Sequence, residues 1–117
     1  MNLLEMKEAL QAQVLTDELD ESVDITLAYA TDLMSDALAF ASDNCVLITG
    51  LVNSQTVRTA EMKDFPCVIY TRGKMPEGEI IALANTFGLC VMRTELSTFD
   101  TCGILYGKGI IGPNNHG

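Results

Sequence analysis

Three short, unbroken apolar runs recur about every 22 residues, a spacing that constrains the fold more than any other feature of the chain. They are Cys45-Val46-Leu47-Ile48-Thr49, Pro66-Cys67-Val68-Ile69-Tyr70-Thr71 and Leu89-Cys90-Val91-Met92, each followed by a polar turn and a stretch of helical periodicity. A strand that is apolar on both alternating faces is one covered on both sides. Strands separated by helices run parallel, joined by right-handed crossovers. Three units are too few for a solenoid. The expected class is therefore α/β: a small, mostly parallel sheet of four or five strands with helices on both faces.

The helical stretches carry their own signals. The first opens near Ser54 after the turn from Gly50 to Asn53. The second starts at Pro76, carries Ile80, Leu83, Ala84 and Phe87 at i, i+3, i+4 and i+7, and ends at Gly88 as a left-handed cap. The third opens at Ser97, which with Asp100 approximates a capping box, and its stripe of Phe99, Cys102, Gly103 and Tyr106 is expected to face inward.

Upstream, Leu3, Met6, Lys7 and Leu10 fall at helical spacing, predicting a helix over residues 2–11, and residues 13–16 read as a short strand. The acidic stretch 17–22 reads as a solvated loop, without the glycine and spacing of a calcium loop. Residues 23–30 alternate strictly, with Val23, Ile25, Leu27 and Tyr29 on one face. That is the pattern of a half-buried strand at a sheet edge or a subunit contact. Thr31 or Asp32 is expected to cap the next helix, whose stripe is Leu33, Met34, Ala37, Leu38 and Ala41. Residues 1–109 read as one domain and the Gly- and Asn-rich residues 110–117 as a flexible tail.

Composition narrows the function classes. Sixteen acidic against seven basic residues leave a net charge of −9, which argues against nucleic acid, whose phosphates need a basic footprint. The longest apolar runs fall far short of a membrane span, and the start of the chain lacks the pattern of a signal peptide, so a cytoplasmic location is expected. Cys45, Cys67, Cys90 and Cys102 contain no Cys-x-x-Cys pair; they read as reduced thiols acting as small hydrophobes, with no metal or cofactor expected. The sole histidine, His116, lies in the tail, so no serine nucleophile has a base. Thr49-Gly50-Leu51-Val52-Asn53-Ser54 lacks the ending of a phosphate loop. No catalytic residue is assigned, and an enzyme is not expected.

A parallel sheet gathers its helix-opening turns on one rim, at the carboxyl ends of the strands. That rim is expected to hold Asp32, Ser35, Asn53, Ser54, Arg72, Lys74, Arg93, Thr94 and Ser97. Three of the seven basic residues fall there, a setting for a phosphate or carboxylate; the alternative is that these are solvated loops.

At Tyr29-Ala30-Thr31-Asp32-Leu33-Met34-Ser35-Asp36-Ala37-Leu38-Ala39 the chain resembles the DRTGG domain family, whose small stand-alone members carry a similar Tyr-x-x-Asp-Leu-Leu-Ser-Asp run. The likeness continues through Pro66-Cys67-Val68-Ile69, Gly88-Leu89-Cys90-Val91 and Thr94-Glu95-Leu96-Ser97-Thr98-Phe99. The name-giving signature is eroded: Ser22-Val23 stands where the family has Asp-Arg, and Thr26-Leu27-Ala28 where it has Thr-Gly-Gly. The resemblance implies a fold similar to the N-terminal domain of HPr kinase/phosphorylase without its catalytic domain, a regulatory or accessory role and a tendency to dimerise. It also implies company: nucleotide-sensing CBS modules in larger proteins, and genes for iron-only hydrogenase subunits beside stand-alone members. The expectation is thus a non-catalytic homodimeric module serving a redox or metabolic complex by protein contact or ligand sensing, with residues 23–30 and the following helix as the dimer surface. The alternatives are a sensor of adenine nucleotides or other anionic metabolites, and an iron–sulfur or metal accessory protein.

Overall fold

A computed structural model describes residues 1–113 of the chain. Its elements in order are α1 (Leu3–Leu10), β1 (Gln13–Val14), β2 (Leu27–Ala30), α2 (Met34–Phe40), β3 (Cys45–Thr49), α3 (Ser54–Met62), β4 (Cys67–Tyr70), α4 (Gly78–Thr86), β5 (Cys90–Arg93) and α5 (Thr98–Gly107). The five strands form one sheet in the order β1-β5-β4-β3-β2. Strands β2 to β5 are parallel, as the apolar runs require, and only β1 is antiparallel, against β5.

Alternation along the central strands divides their side chains between two cores. Cys45, Leu47, Val68, Tyr70 and Val91 pack beneath α2, α3 and α4. Val46, Ile48, Cys67, Ile69, Cys90 and Met92 pack beneath α1 and α5. Both sheet faces are therefore covered, which is why β3 and β4 contain no exposed position at all.

The helix ends follow local chemistry. Asn2 and Glu5 form a reciprocal capping box on α1, and Gln11 closes that helix in the left-handed region at φ 50°. Gly88, at φ +67°, follows α4 in the left-handed conformation that its lack of a Cβ permits.

Four local expectations change. The strict alternation of residues 23–30 is not one strand: β2 begins only at Leu27, while Ile25 donates its N–H to the carbonyl of Met1 at 2.7 Å. The period of two therefore breaks, and Val23 and Ile25 join the core under α1 and α5, whereas Leu27 and Tyr29 pack on the opposite one. Neither Thr31 nor Asp32 caps α2: its N-cap is Leu33, with no side-chain bond, because Asp32 turns toward β3. Ile110 is buried and Ile111 pairs beside Leu27, so this part of the expected tail joins the folded body. His116 and the rest of residues 114–117 lie outside the described residues. Finally, α5 is rotated from its expected orientation: Thr101 and Leu105 face the sheet, and Phe99, Gly103 and Tyr106 face outward.

Candidate functional site

Each parallel strand ends on or next to a threonine, and three of these residues close the strand in the same way. The hydroxyls of Thr31, Thr49 and Thr94 accept the N–H two residues on, from Leu33 at 3.0 Å, Leu51 at 3.0 Å and Leu96 at 3.3 Å. Thr71, after β4, instead shares a hydrogen bond with the hydroxyl of Thr98 at 2.7 Å. These short turns hold the carboxyl rim close to the sheet.

The rim is built around Gly50. One carboxylate oxygen of Asp32 accepts both the Gly50 N–H at 2.8 Å and the Thr49 hydroxyl at 2.9 Å. Lys74 donates its ammonium to the Gly50 carbonyl at 2.7 Å. Space for a Cβ at Gly50 is bounded by Thr71 Oγ1, Asp32 Oδ2 and Arg72 Nη2, at 3.6, 3.7 and 3.8 Å. The Gly50 N–H holds the Asp32 carboxyl below the usual carboxylate range; partial burial opposes this, and Thr49, Lys74 and Arg72 reinforce it.

Arg72 owes its position to backbone conformation. It sits in the left-handed region at φ 65°, followed by Gly73 at φ 69°. Their N–H groups bond the carbonyls of Leu96 and Thr94, each at 2.7 Å. At Gly73 a Cβ would meet only the exposed, movable end of Glu95, so the positive φ is what favours glycine there.

Of the nine residues expected on this rim, the fold gathers Asp32, Arg72 and Lys74 around Gly50. Arg93 lies toward β1, bonded to Gln13 Oε1 at 3.0 Å and to the Gly73 carbonyl at 2.6 Å. Thr94 is buried and donates to the Leu10 carbonyl at 2.8 Å. Asn53 and Ser97 cap α3 and α5, and Ser54 and Ser35 stand exposed in the first turns of α3 and α2. The residues that sequence reasoning missed here are Thr49, Gly50, Thr71 and Thr98. For Thr49 and Thr71 the signal was present as a threonine on or next to the end of every parallel strand.

Chemically this is a braced turn cluster. Asp32 and Lys74 are each bonded to the Gly50 peptide; the exposed guanidinium of Arg72 is the group best placed to meet an anion.

A second region differs in kind. Along the outer face of α5, Phe99 is 85% and Tyr106 70% exposed, with exposed Gly103 and half-buried Cys102 between them. Beside this stripe Ala28, Ala30, Cys102, Tyr106, Ile110 and Ile111 frame a groove of about 160 Å³ whose lining includes no charged side chain. Ile111 covers part of the β2 edge, accepting from Ala28 N at 3.0 Å and donating to the Thr26 carbonyl at 3.1 Å. The expected dimer surface on residues 23–30 is thus partly occupied by the chain's own end.

All four cysteines are free thiols. Cys45 lies on one face of the sheet, Cys67 and Cys90 on the other, and Cys102 on α5. Among the described residues no group of three or more His, Cys, Asp and Glu side chains is placed to hold a metal ion, and no helix is long and apolar enough to cross a membrane.

Fold and site together define a small α/β module, covered on both sheet faces, with a hydrogen-bonded strand-end cluster and an apolar outer helix. It is a member of the DRTGG domain family, whose model matches residues 5–107. No curated protein matches the sequence. Among solved structures, the CBS and DRTGG domains of the regulatory region of Clostridium perfringens pyrophosphatase, complexed with the activator diadenosine tetraphosphate, have a similar fold. That similarity covers 97% of this chain at 17% identity with a TM-score of 0.67. The chain corresponds to 51% of that one, about half its length.

Proposed function

We propose that the chain is a non-catalytic regulatory module that acts by protein contact, pairing with a second copy of itself through the outer face of α5. The exposure of Phe99 and Tyr106 on a single helix stripe carries this reading. Exposed aromatic side chains beside an uncharged groove are the makings of an interface centre. A second copy suits the charge: at −9, two chains repel unless they meet where charge is absent. Antiparallel pairing of two α5 helices about Gly103 would set Phe99 against Tyr106 of the other copy. It would also bring Asp100, near the start of one helix, toward Lys108 at the end of the other. Light scattering of the wild-type chain is expected to give the mass of a dimer. A monomer at the highest soluble concentration would defeat the reading.

The setting proposed is the cytoplasm and a redox or metabolic complex of the hydrogenase-associated kind. A pull-down from the native host, with a Phe99→Ser/Tyr106→Ser chain as control, tests that setting.

A second reading, a sensor of adenine nucleotides or other anionic metabolites, draws on Arg72 beside Gly50. The similar pyrophosphatase region, solved with diadenosine tetraphosphate, also supports it. Calorimetry with ATP, AMP and diadenosine tetraphosphate is then expected to show binding that Arg72→Gln weakens; absence of heat with all three removes it. An iron–sulfur role finds no support in thiols divided between two sheet faces and a helix. Anaerobic reconstitution is expected to leave the protein colourless.

A further inference from the structure

We propose that Cys67 and Cys90 form a reactive thiol pair that a neutral peroxide converts to a disulfide. The two residues are direct neighbours in register on β4 and β5, and both side chains lie on the α1/α5 face within one buried cluster. Adjacent strands lie about 4.8 Å apart, within the Cα separation that a disulfide tolerates, roughly 4.4–6.8 Å. The pair is therefore preset for bonding. A disulfide also prefers a Cβ separation of about 3.8 Å, so the bond would draw β4 and β5 together and stay reducible.

Access is from one side. Cys90 forms part of the wall of a cavity of about 550 Å³ at the amino ends of the strands, together with Leu3, Glu18, Leu19 and Asp20. Cys67 lies behind it, fully buried. The Thr16 hydroxyl, next to Cys90, accepts the Val91 N–H at 3.0 Å, which leaves its own hydrogen for the Cys90 sulfur. The Cys67 thiol donates to the Val68 carbonyl at 3.6 Å, and burial pushes that thiol up. Position sets the order: Cys90, on the cavity wall, reacts first, and Cys67, behind it, resolves.

The carboxylates of Glu18 and Asp20 beside the cavity select the oxidant, because they repel anions such as glutathione disulfide and admit a neutral hydroperoxide. In the first step the Cys90 thiolate forms an S–O bond to hydrogen peroxide and the O–O bond breaks; the leaving hydroxide takes up the thiol's proton as water. In the second the Cys67 sulfur attacks the sulfenic acid, the S–S bond forms, the S–O bond breaks, and a second water leaves with the Cys67 proton. Two thiols and one peroxide give one disulfide and two waters. Cys45, on the far face of the sheet, has no such neighbour, and burial pushes the Cys102 thiol up.

The test treats the folded chain with stoichiometric hydrogen peroxide, alkylates the remaining thiols after unfolding, and maps the peptides by mass. The expected result is a loss of two hydrogens, a linked pair of peptides containing Cys67 and Cys90, and alkylated Cys45 and Cys102. Cys67→Ala is expected to leave Cys90 as a sulfenic acid trapped by dimedone, and Cys90→Ala to leave Cys67 reduced. Both effects disappear on brief reduction. If wild-type Cys67 and Cys90 remain alkylatable while Cys102 is oxidised first, the proposal is overturned without recourse to either variant.

Discussion

Helices α3 and α5 lie on opposite faces of the same sheet and cover their apolar residues to different extents. On α3 the buried side is Thr56, Val57, Thr59 and Ala60, and the outer side carries Ser54, Gln55, Arg58 and Glu61. On α5 the buried side is only Thr101 and Leu105, while Phe99 and Tyr106, the largest side chains of the helix, stand in solvent. On α3 only Met62, at the last position of the helix, is an exposed large apolar side chain; α5 leaves two aromatics uncovered along one stripe, so it offers the broader apolar face. An apolar stripe thus predicts that a helix will be covered without saying by what.

Four measurements bear on that contrast. The largest effect is expected at Leu105, the one buried leucine of α5: Leu105→Ala should lower the unfolding free energy by roughly 2–5 kcal/mol. Next, Phe99→Ser with Tyr106→Ser should barely change monomer stability while weakening self-association by about thirtyfold or more, an interface loss of about 2 kcal/mol or more. If this double variant unfolds the chain instead, the outer face of α5 is a structural surface and the contrast is broken.

A smaller effect is expected at the turn that launches α3. Asp32→Asn should cost about 0.5–1 kcal/mol at neutral pH, because it removes a charge-assisted acceptor from Gly50 and Thr49. The wild-type carboxyl is held below its unfolded value, so its contribution is present above pH ~4 and is lost as pH falls through the folded value. The gap between wild type and variant in acid denaturation followed by circular dichroism should therefore close below pH ~4. Smallest of all is Thr101→Val. The Thr101 hydroxyl is buried without a partner among the described residues, so this nearly isosteric change should be neutral or raise stability by a few tenths of a kcal/mol in a thermal melt.

Much of the fold was legible because it rests on local patterns. The solid apolar runs beginning near Cys45, Cys67 and Cys90 mark β3, β4 and β5, and their spacing implies parallel crossovers. The Asn53 cap and the left-handed Gly88 are equally local. Less of the site could be read. Asp32, Arg72 and Lys74 come together because three loops meet at Gly50, and the bonds from Asp32 and Lys74 to that peptide join residues far apart in sequence. Arg93 and Thr94 look the same in sequence as Arg72 and Thr71, yet they are fastened to Gln13 and Leu10 because β1 and α1 fold back beside β5.

What the sequence determined by itself was periodicity: which segments are strands buried on both faces, which are helices, and that the chain is acidic with three of its seven cations near the strand ends. Each follows from side-chain polarity and spacing within a few residues. Only the tertiary structure decided the rotation of α5, the break at Leu27, the bracing of Gly50 and the pairing of Cys67 with Cys90. Each of these depends on which distant segment competes for the same surface, and burial energy rewards the best packing of the whole chain over the neatest pattern of any one part.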